Sequence, residues 1–582
     1  MRGVRGCVYN ARPMKSATLA LALMLAASSA FTAVLRPDGT VDWTRYHNSD
    51  DAETLLRELV ARYPDLAKMY SIGKSFQGKE LWVLELTNRK LKPPEEKPGY
   101  YVDGGIHSCE LAGAEQVLYL AWYFATKHGA EPAVTRLLDT RTLYLRPKFN
   151  PDGADYCLTH PDSLRSTVRP WDDDGDGQKD EDPAEDLDGD GAITTMRVKN
   201  PNGTHGVSSE DPRMMVERKL GETAGQFYLL LSEGTDNDGD GEFNEDGVGG
   251  IDMNRNFPRT WGLPYQQTGA GPFPLSEPET RATLDFLVSH PNVTGIVHNH
   301  TAGGFLYRLP STNPPADHEE DDLALVQMFG DEYTRVTGHR VEDSYAGEGR
   351  SRHGTLISWG YFDYGVIGWV PEHWGGFGQD YDGDKKVSEK ERLRWNDDEL
   401  GGTGFTPRKE YQHPQLGIVE IGGWKRKFTQ QNPPPKLLEK EIAMKVPWFI
   451  YIANASPLLR LVEAKATALG GGLFRIDALV ENEGFLPTNI TERALKAELA
   501  KPVRARLKPS NADVVDGKAV KDLGNLPGTR ALRGPGFSGG GAPAANRRDV
   551  SWVVKARGAD ASVEVEVVSE KGGTERKQVP LR

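Results

Sequence analysis

His107 and Glu110 stand three residues apart in the stretch YVDGGIHSCELAGAEQ, Tyr101 to Gln116. An imidazole and a carboxylate at i and i+3, just past an apolar run, can converge on one point in space. A catalytic zinc takes three nitrogen or oxygen ligands and keeps a fourth position for water. The pair supplies two of the three. It is also what a polar helix N-terminus looks like, so a third ligand is needed to tell the readings apart.

Four other stretches carry oxygen ligands for a harder cation: DDDGDGQKDED (Asp172, Asp174, Asp176), DLDGDGAIT (Asp186, Asp188, Asp190), DNDGDGEFNED (Asp236, Asp238, Asp240) and DYDGDKKVSEKE (Asp380, Asp382, Asp384). Carboxylates at positions 1, 3 and 5 suit calcium, and glycine at position 6 permits the sharp turn. Gly177, Gly191 and Gly241 fill that position in the first three, which lack a closing glutamate. The fourth has Glu391 at position 12, the bidentate place, but Lys385 where glycine is usual. The bland reading is a set of solvated acidic loops. So many like charges repel one another without a cation, and structural calcium is the expectation.

The elements that must position these residues alternate. DAETLLRELVARYPDLAKMYSIGKS reads as an amphipathic helix that stops before a proline and is followed by a strand. LWVLELTN, GYYVDGGI, TLYLRPKFNPDG, TGIVHNH and GVIGWVPEHWG read as strands, and GAEQVLYLAWYFATKHG as a helix ending at glycine. Strands alternating with helices imply an α/β fold, a sheet covered on both faces. KLLEKEIAMKVPWFIYIANAS reads as one closing helix, interrupted slightly by its proline. After about Ser456, segments such as LFRIDALVENEG and ASVEVEVVSEKGG alternate apolar and polar residues between turns, the pattern of a small β-sandwich. The expected division is a leader over 1–33, a catalytic domain over 34–455 carrying the Asp-rich insertions, and a sandwich over 456–582.

With the motifs in order, the sequence resembles the zinc carboxypeptidase family over roughly Tyr46 to Ser456. GGIHSCELAG matches its first metal motif and NPDG at Asn150 the turn that follows. DMNRNF at Asp252 matches the Asn-Arg motif, HTAGGFLYR at His300 the segment opening with the third zinc ligand, and GTLISWGYFDYGVIGWVPEHWG the stretch ending in the catalytic glutamate. The resemblance implies a mixed twisted sheet with helices on both faces and one zinc held by His107, Glu110 and His300. His298 is the other histidine on that strand face and competes with His300; the downstream register favours His300. Glu372 is the implied general base, with Glu420 in LGIVEIGGW as its rival. Trp359 precedes Glu372 by thirteen residues, as the family interval requires. Zinc would polarise the scissile carbonyl and acidify its water. Arg165, with Arg169 as alternate, would stabilise the oxyanion. Asn254 and Arg255 would hold the substrate's terminal carboxylate, Asp252 would orient His107, Tyr345 would cover the substrate, and Ile357 would floor the specificity pocket. An apolar floor prefers hydrophobic C-terminal residues over basic ones. Cys109 and Cys157 are implied to lie beside the active site; whether they are bonded stays open.

The chain has 582 residues, 38% of them hydrophobic and 26% charged, with a formal net charge of −14. That balance is globular and argues against nucleic acid. MKSATLALALMLAASSAFTA from Met14 reads as an export signal, its apolar stretch too short to span a bilayer, which makes the protein secreted or periplasmic. Three cysteines, Cys7 among them in the leader, are too few for a disulfide framework. The expectation is a monomeric secreted metallocarboxypeptidase acting on peptides with a free C-terminus. The alternatives are a zinc amidohydrolase of the same fold acting on cell-wall peptides or small amides, and a calcium-stabilised, non-catalytic binding protein.

Overall fold

A computed structural model describes residues 33–172, 175, 177–310, 313–345, 352–529 and 545–582. The expected export signal and Cys7, the calcium-loop residues Asp174 and Asp176, and the GPGFSGGGAP loop lie outside them.

The principal sheet has eight strands in the spatial order Ala67–Lys74, Glu80–Leu86, Thr142–Arg146, Gly99–Gly104, Val293–Thr301, Ile367–His373, Phe305–Arg308, Arg340–Asp343. Its centre, from Thr142–Arg146 to Ile367–His373, is parallel, and antiparallel pairs flank it. Three of the central strands are buried along their whole length, as strands covered on both faces must be. Successive side chains feed two cores. Val102, Leu145 and Val297 pack with the helices Ser49–Arg62 and Leu111–Lys127. Tyr101, Tyr144 and Ile296 pack with Phe286, Leu287, Leu356 and Trp359 on the other side.

Two glycines bring the helix Leu111–Lys127 unusually close to the sheet. A Cβ on Gly113 would sit 2.5 Å from the Asn299 carbonyl oxygen, and one on Gly104 would sit 2.2 Å from the Gly113 oxygen. Backbone can approach backbone there only because neither residue carries a side chain.

NPDG departs from the strand expected of it. The strand ends at Arg146, and Asn150 instead caps the helix Pro151–Thr159, its side chain accepting from Gly153 N at 2.9 Å. The closing helix is two helices, Pro435–Ala443 and Val446–Asn454. Pro447 cannot donate to a preceding turn, so it sits at the start of the second.

The Asp-rich insertions build a second sheet of six strands, ordered Phe405–His413, Gly417–Trp424, Thr195–Lys199, Phe227–Ser232, His205–Val207, Met215–Glu217. The strand LGIVEIGGW belongs to this sheet rather than to the principal one. At the C-terminal end, two four-stranded antiparallel sheets spanning Leu459 to Pro580 enclose their own core around Ile476, Trp552 and Val565. No helix among the described residues is long and apolar enough to cross a membrane.

Candidate active site

Three neighbouring parallel strands end on one side of the sheet. The turn after Gly99–Gly104 carries His107 and Glu110, Val293–Thr301 carries His300, and Ile367–His373 carries Glu372. His300 and Glu372 are register partners across the last pair.

His107, Glu110 and His300 meet. Glu110 Oε1 lies 2.7 Å from His107 Nδ1, its Oε2 2.7 Å from His300 Nδ1, and the two Nδ1 atoms are 3.1 Å apart. Each side chain offers one ligand atom, and these atoms lie within 4.8 Å of one another. Two imidazoles and one carboxylate form a donor set that suits catalytic zinc, so the residues present fit the metal. Burial holds the His300 pKa down to about 3, which keeps the ring neutral. Burial also disfavours a charged His107, but Glu110 and Asp252 outweigh it and raise its pKa. The field around His107 therefore favours a cation.

Outer groups fix the two rings. Asp252 Oδ1 accepts from His107 Nε2 at 3.0 Å, the arrangement that orients a ligating histidine. Burial would raise Asp252, yet Arg165, His107 and Arg255 hold its carboxyl well below the usual range. Asn254 donates from Nδ2 to His300 Nε2 at 3.4 Å and accepts from Leu356 N at 3.2 Å. Its amide is thus engaged at both ends, and it steadies His300 as well as standing beside Arg255.

A cavity of about 210 Å³ opens on this cluster, lined by His107, His300, Glu372, Arg165, Asn254 and Arg255 among others. Arg165 donates to Asp252 Oδ2 at 3.0 Å and to Glu110 Oε1 at 3.3 Å. Arg169 pairs instead with Glu277 at 3.1 Å and stacks over Phe76. Ile357 lines the cavity, together with Phe305, Tyr307, Arg352 and Val370, none of which the sequence singled out. Tyr345 is half-buried, next to Ser344 of the lining; the tyrosine on the cavity wall itself is Tyr307. Burial, then the Glu110 charge, pushes the Glu372 carboxyl well up, against Arg165 and Arg352.

The rivals are placed elsewhere. His298 is buried against Asp103, and Glu420 pairs with Arg197 across the six-stranded sheet. Cys109 and Cys157 form a disulfide with Cα atoms 5.3 Å apart.

The acidic loops group as Asp186–Asp188–Glu233, Asp236–Asp238–Asp240 and Asp380–Asp382–Glu391. In each loop the backbone N–H at position 6 donates to the first aspartate: Gly177 to Asp172, Gly191 to Asp186, Gly241 to Asp236 and Lys385 to Asp380. Two expected members differ. Asp190 accepts from Thr406 at 2.7 Å and pairs with Lys425, while Glu233, from the end of a distant strand, stands with Asp186 and Asp188. Asp384 accepts from Lys386 N at 2.7 Å and stands outside the Asp380 group. A cleft of about 1270 Å³ runs between Glu110, Arg165 and Thr301 on one side and Asp186, Leu231 and Lys425 on the other. The second sheet therefore walls the approach to the site.

The family model "Zinc carboxypeptidase" matches residues 52–372, and a domain of unknown function matches residues 458–580. Carboxypeptidase Z of Mus musculus is 38% identical over 109 residues, 19% of this chain and 17% of its own. Carboxypeptidase D of Anas platyrhynchos is 30% identical over 145 residues, 25% of this chain and 10% of its own. A zinc carboxypeptidase of Saccharothrix mutabilis subsp. capreolus is 30% identical over 129 residues, 22% and 28% of the two chains. The matches thus span a minor part of these relatives' length. Among solved structures, thrombin activatable fibrinolysis inhibitor aligns with TM-score 0.43 and 16% identity over 72% of this chain and 77% of its own. The match of the family model over more than half of the sequence, carrying the cluster just described, makes this chain a member of the zinc carboxypeptidase family.

Proposed function

We propose that this protein is a metallocarboxypeptidase that removes the C-terminal residue of peptides. The observation that carries the reading is the convergence of His107, Glu110 and His300 with Glu372 and Arg255 on one cavity. Family membership implies a catalytic zinc, and these three side chains would hold it. When bound, zinc polarises the scissile carbonyl and lowers the pKa of the attacking water. Glu372 takes the proton of that water and hands it to the leaving amine. Arg255 grips the terminal carboxylate through the two parallel bonds its fork permits, and Arg165 faces the charge that develops on the carbonyl oxygen. Ile357, Val370 and Phe305 give the pocket an apolar wall, which supports acceptance of hydrophobic side chains over basic ones.

Export is part of the reading. The leader pattern from Met14 and the Cys109–Cys157 disulfide both suit an oxidising compartment. So is structural calcium, with the aspartate groups as ligands and Glu233 and Glu391 completing two of them. The substrate partner is a peptide or protein with a free C-terminus, acted on by a monomer.

Zinc analysis tests the core of the proposal. The purified chain is expected to contain one zinc and to release C-terminal amino acids from peptides. His107→Ala is expected to lose both, and stoichiometric zinc retained in that variant would refute the ligand assignment.

A further inference from the structure

A peptide chain upstream of the scissile bond needs a path, and the chemistry above does not supply one. The cavity at the metal cluster is about 210 Å³. Pockets that enclose a drug-sized ligand run to roughly 300–1,000 Å³, so this cavity has room for about one residue. Beside it lies the cleft of about 1270 Å³. The two meet at Arg165 and Ala302, which line both. A peptide whose last residue fills the cavity therefore leaves past these two residues and enters the cleft.

One wall of that cleft is basic, in a protein whose formal net charge is −14: Lys425, Arg426 and Lys427 follow one another along it. Lys425 is offset by Asp190 at 3.4 Å. Lys427 Nζ donates to the carbonyls of Cys157 at 2.8 Å and His160 at 2.5 Å, and the Asp162 charge acts on it. Asp162 and Asp186 are the carboxylates on the lining apart from Glu110. Asp162 accepts from the Tyr156 hydroxyl at 2.9 Å, and Asp186 accepts from Asp190 N at 3.0 Å and Gly191 N at 2.8 Å. Arg426 differs from its neighbours. It is exposed, its Nε donates to the uncharged Gln430 Oε1 at 3.1 Å, and among the described residues its two terminal nitrogens have no partner and no carboxylate pairs with it.

We propose that this cleft binds the segment of the substrate upstream of the scissile bond, and that the substrate is an extended peptide with acidic side chains in that segment. The proposal rests on the carboxypeptidase reading and refines it. An exposed arginine by itself is a solvated surface charge. Arg426 differs in standing on the wall of a cleft continuous with the reacting groups, where a bound chain must pass. A glutamate or aspartate there forms a charge-assisted, planar pair with its guanidinium, whereas a lysine is repelled. Contacts made so far from the reacting bond raise turnover when their energy is realised in the transition state, so short substrates that cannot reach the cleft are cut slowly.

The test uses the zinc-loaded full chain and peptides that share one C-terminal residue, from a dipeptide to hexapeptides with upstream Ala, Glu or Lys. From dipeptide to hexapeptide, kcat/KM is expected to rise by roughly 10- to 100-fold. Among the hexapeptides, Glu is expected above Ala by about 2- to 5-fold, the worth of an ion pair partly in solvent, with Lys last. That advantage should shrink at high salt. Arg426→Ala is expected to bring the Glu-to-Ala ratio near one and to leave cleavage of the dipeptide unchanged. Calorimetric binding of the Glu and Ala hexapeptides to Glu372→Gln, with and without Arg426→Ala, gives a readout independent of turnover. Binding of the Glu hexapeptide that depends on Arg426, in a wild-type protein that cleaves nothing, would sink the peptidase reading and leave the cleft assignment standing. Equal cleavage of dipeptide and hexapeptides, or a wild-type Glu-to-Ala ratio near one, overturns the cleft assignment and leaves the peptidase reading standing. Neither cleavage nor binding overturns both. The wild-type ratios decide even where the variants fail to fold.

Discussion

At the scale of single residues, two glutamates sit on strands, and only one of them lines the cavity of the candidate metal ligands. Glu372 shares the cavity with His107, His300 and Arg255, whereas Glu420 neutralises Arg197 within the six-stranded sheet. Replacing Glu372 by Gln keeps the shape and removes the proposed base. Turnover is expected to fall by roughly a hundredfold or more, with KM nearly unchanged. Glu420→Gln should act through stability alone, since it removes the negative charge that pairs with Arg197 and leaves only a neutral acceptor there. Steady-state kinetics of the two variants, each checked for zinc content, decide the matter: activity abolished by Glu420→Gln and kept by Glu372→Gln would reverse the assignment. His107 and Glu110 were legible in the sequence because three residues of chain fix their separation. Arg352 and Glu233 were not. Each reaches its cluster through tertiary folding, and nothing in SRHGTLIS or around Glu233 repeats at a spacing that chemistry requires. Asn254 was legible as a member of a motif, but its bond to His300 depends on a strand 46 residues away.

At the scale of elements, the metal turn is held from several sides. Cys109 precedes the helix Leu111–Lys127, and its disulfide ties the turn to the helix Pro151–Thr159. Beside it, Asn150 donates to Ser108 Oγ at 3.0 Å, and Ser108 N and Cys109 N donate to the backbone of Arg165 and Leu164. One clamp thereby places His107, Glu110 and Arg165 together. The disulfide closes a loop with a sequence separation of 48. Replacing both cysteines by serine is expected to lower stability by about 2–4 kcal/mol. The measurement is the urea midpoint of the oxidised wild type against the double variant; coincident midpoints would mean that the hydrogen bonds around the turn suffice. The alternation of strands and helices in this region was readable from periodicity. The second sheet was not, because short strands such as His205–Val207 and Met215–Glu217 carry too few residues to display a period.

At the scale of the whole molecule, the sandwich and the insertions attach to opposite ends of the catalytic sheet. Lys571 donates to the Val293 carbonyl at 2.6 Å, Thr294 bonds Ser456 at 2.7 Å, and Arg576 forms a two-point pair with Glu96. Val293 begins the strand that brings His300 to the site at its other end, about 23 Å away at strand rise. The sandwich therefore buttresses the sheet from behind. The insertions instead wall the cleft beside Glu110, so their order bears on the approach to the zinc site. Their first aspartates accept backbone N–H donors from position 6 of each loop, and in three of the loops carboxylates stand close together, where like charges repel. A cation that binds only the folded loops stabilises them by mass action, by about 2.7 kcal/mol per site at a concentration a hundred times its dissociation constant. Removing calcium with EGTA, with zinc content checked by elemental analysis, is therefore expected to lower the melting temperature. Restoring calcium should recover it, and magnesium should not, because its octahedral preference and reluctance to dehydrate suit such all-protein carboxylate groups poorly. A melting temperature indifferent to calcium would leave these stretches as solvated acidic loops and the cleft wall dependent on its sheet alone.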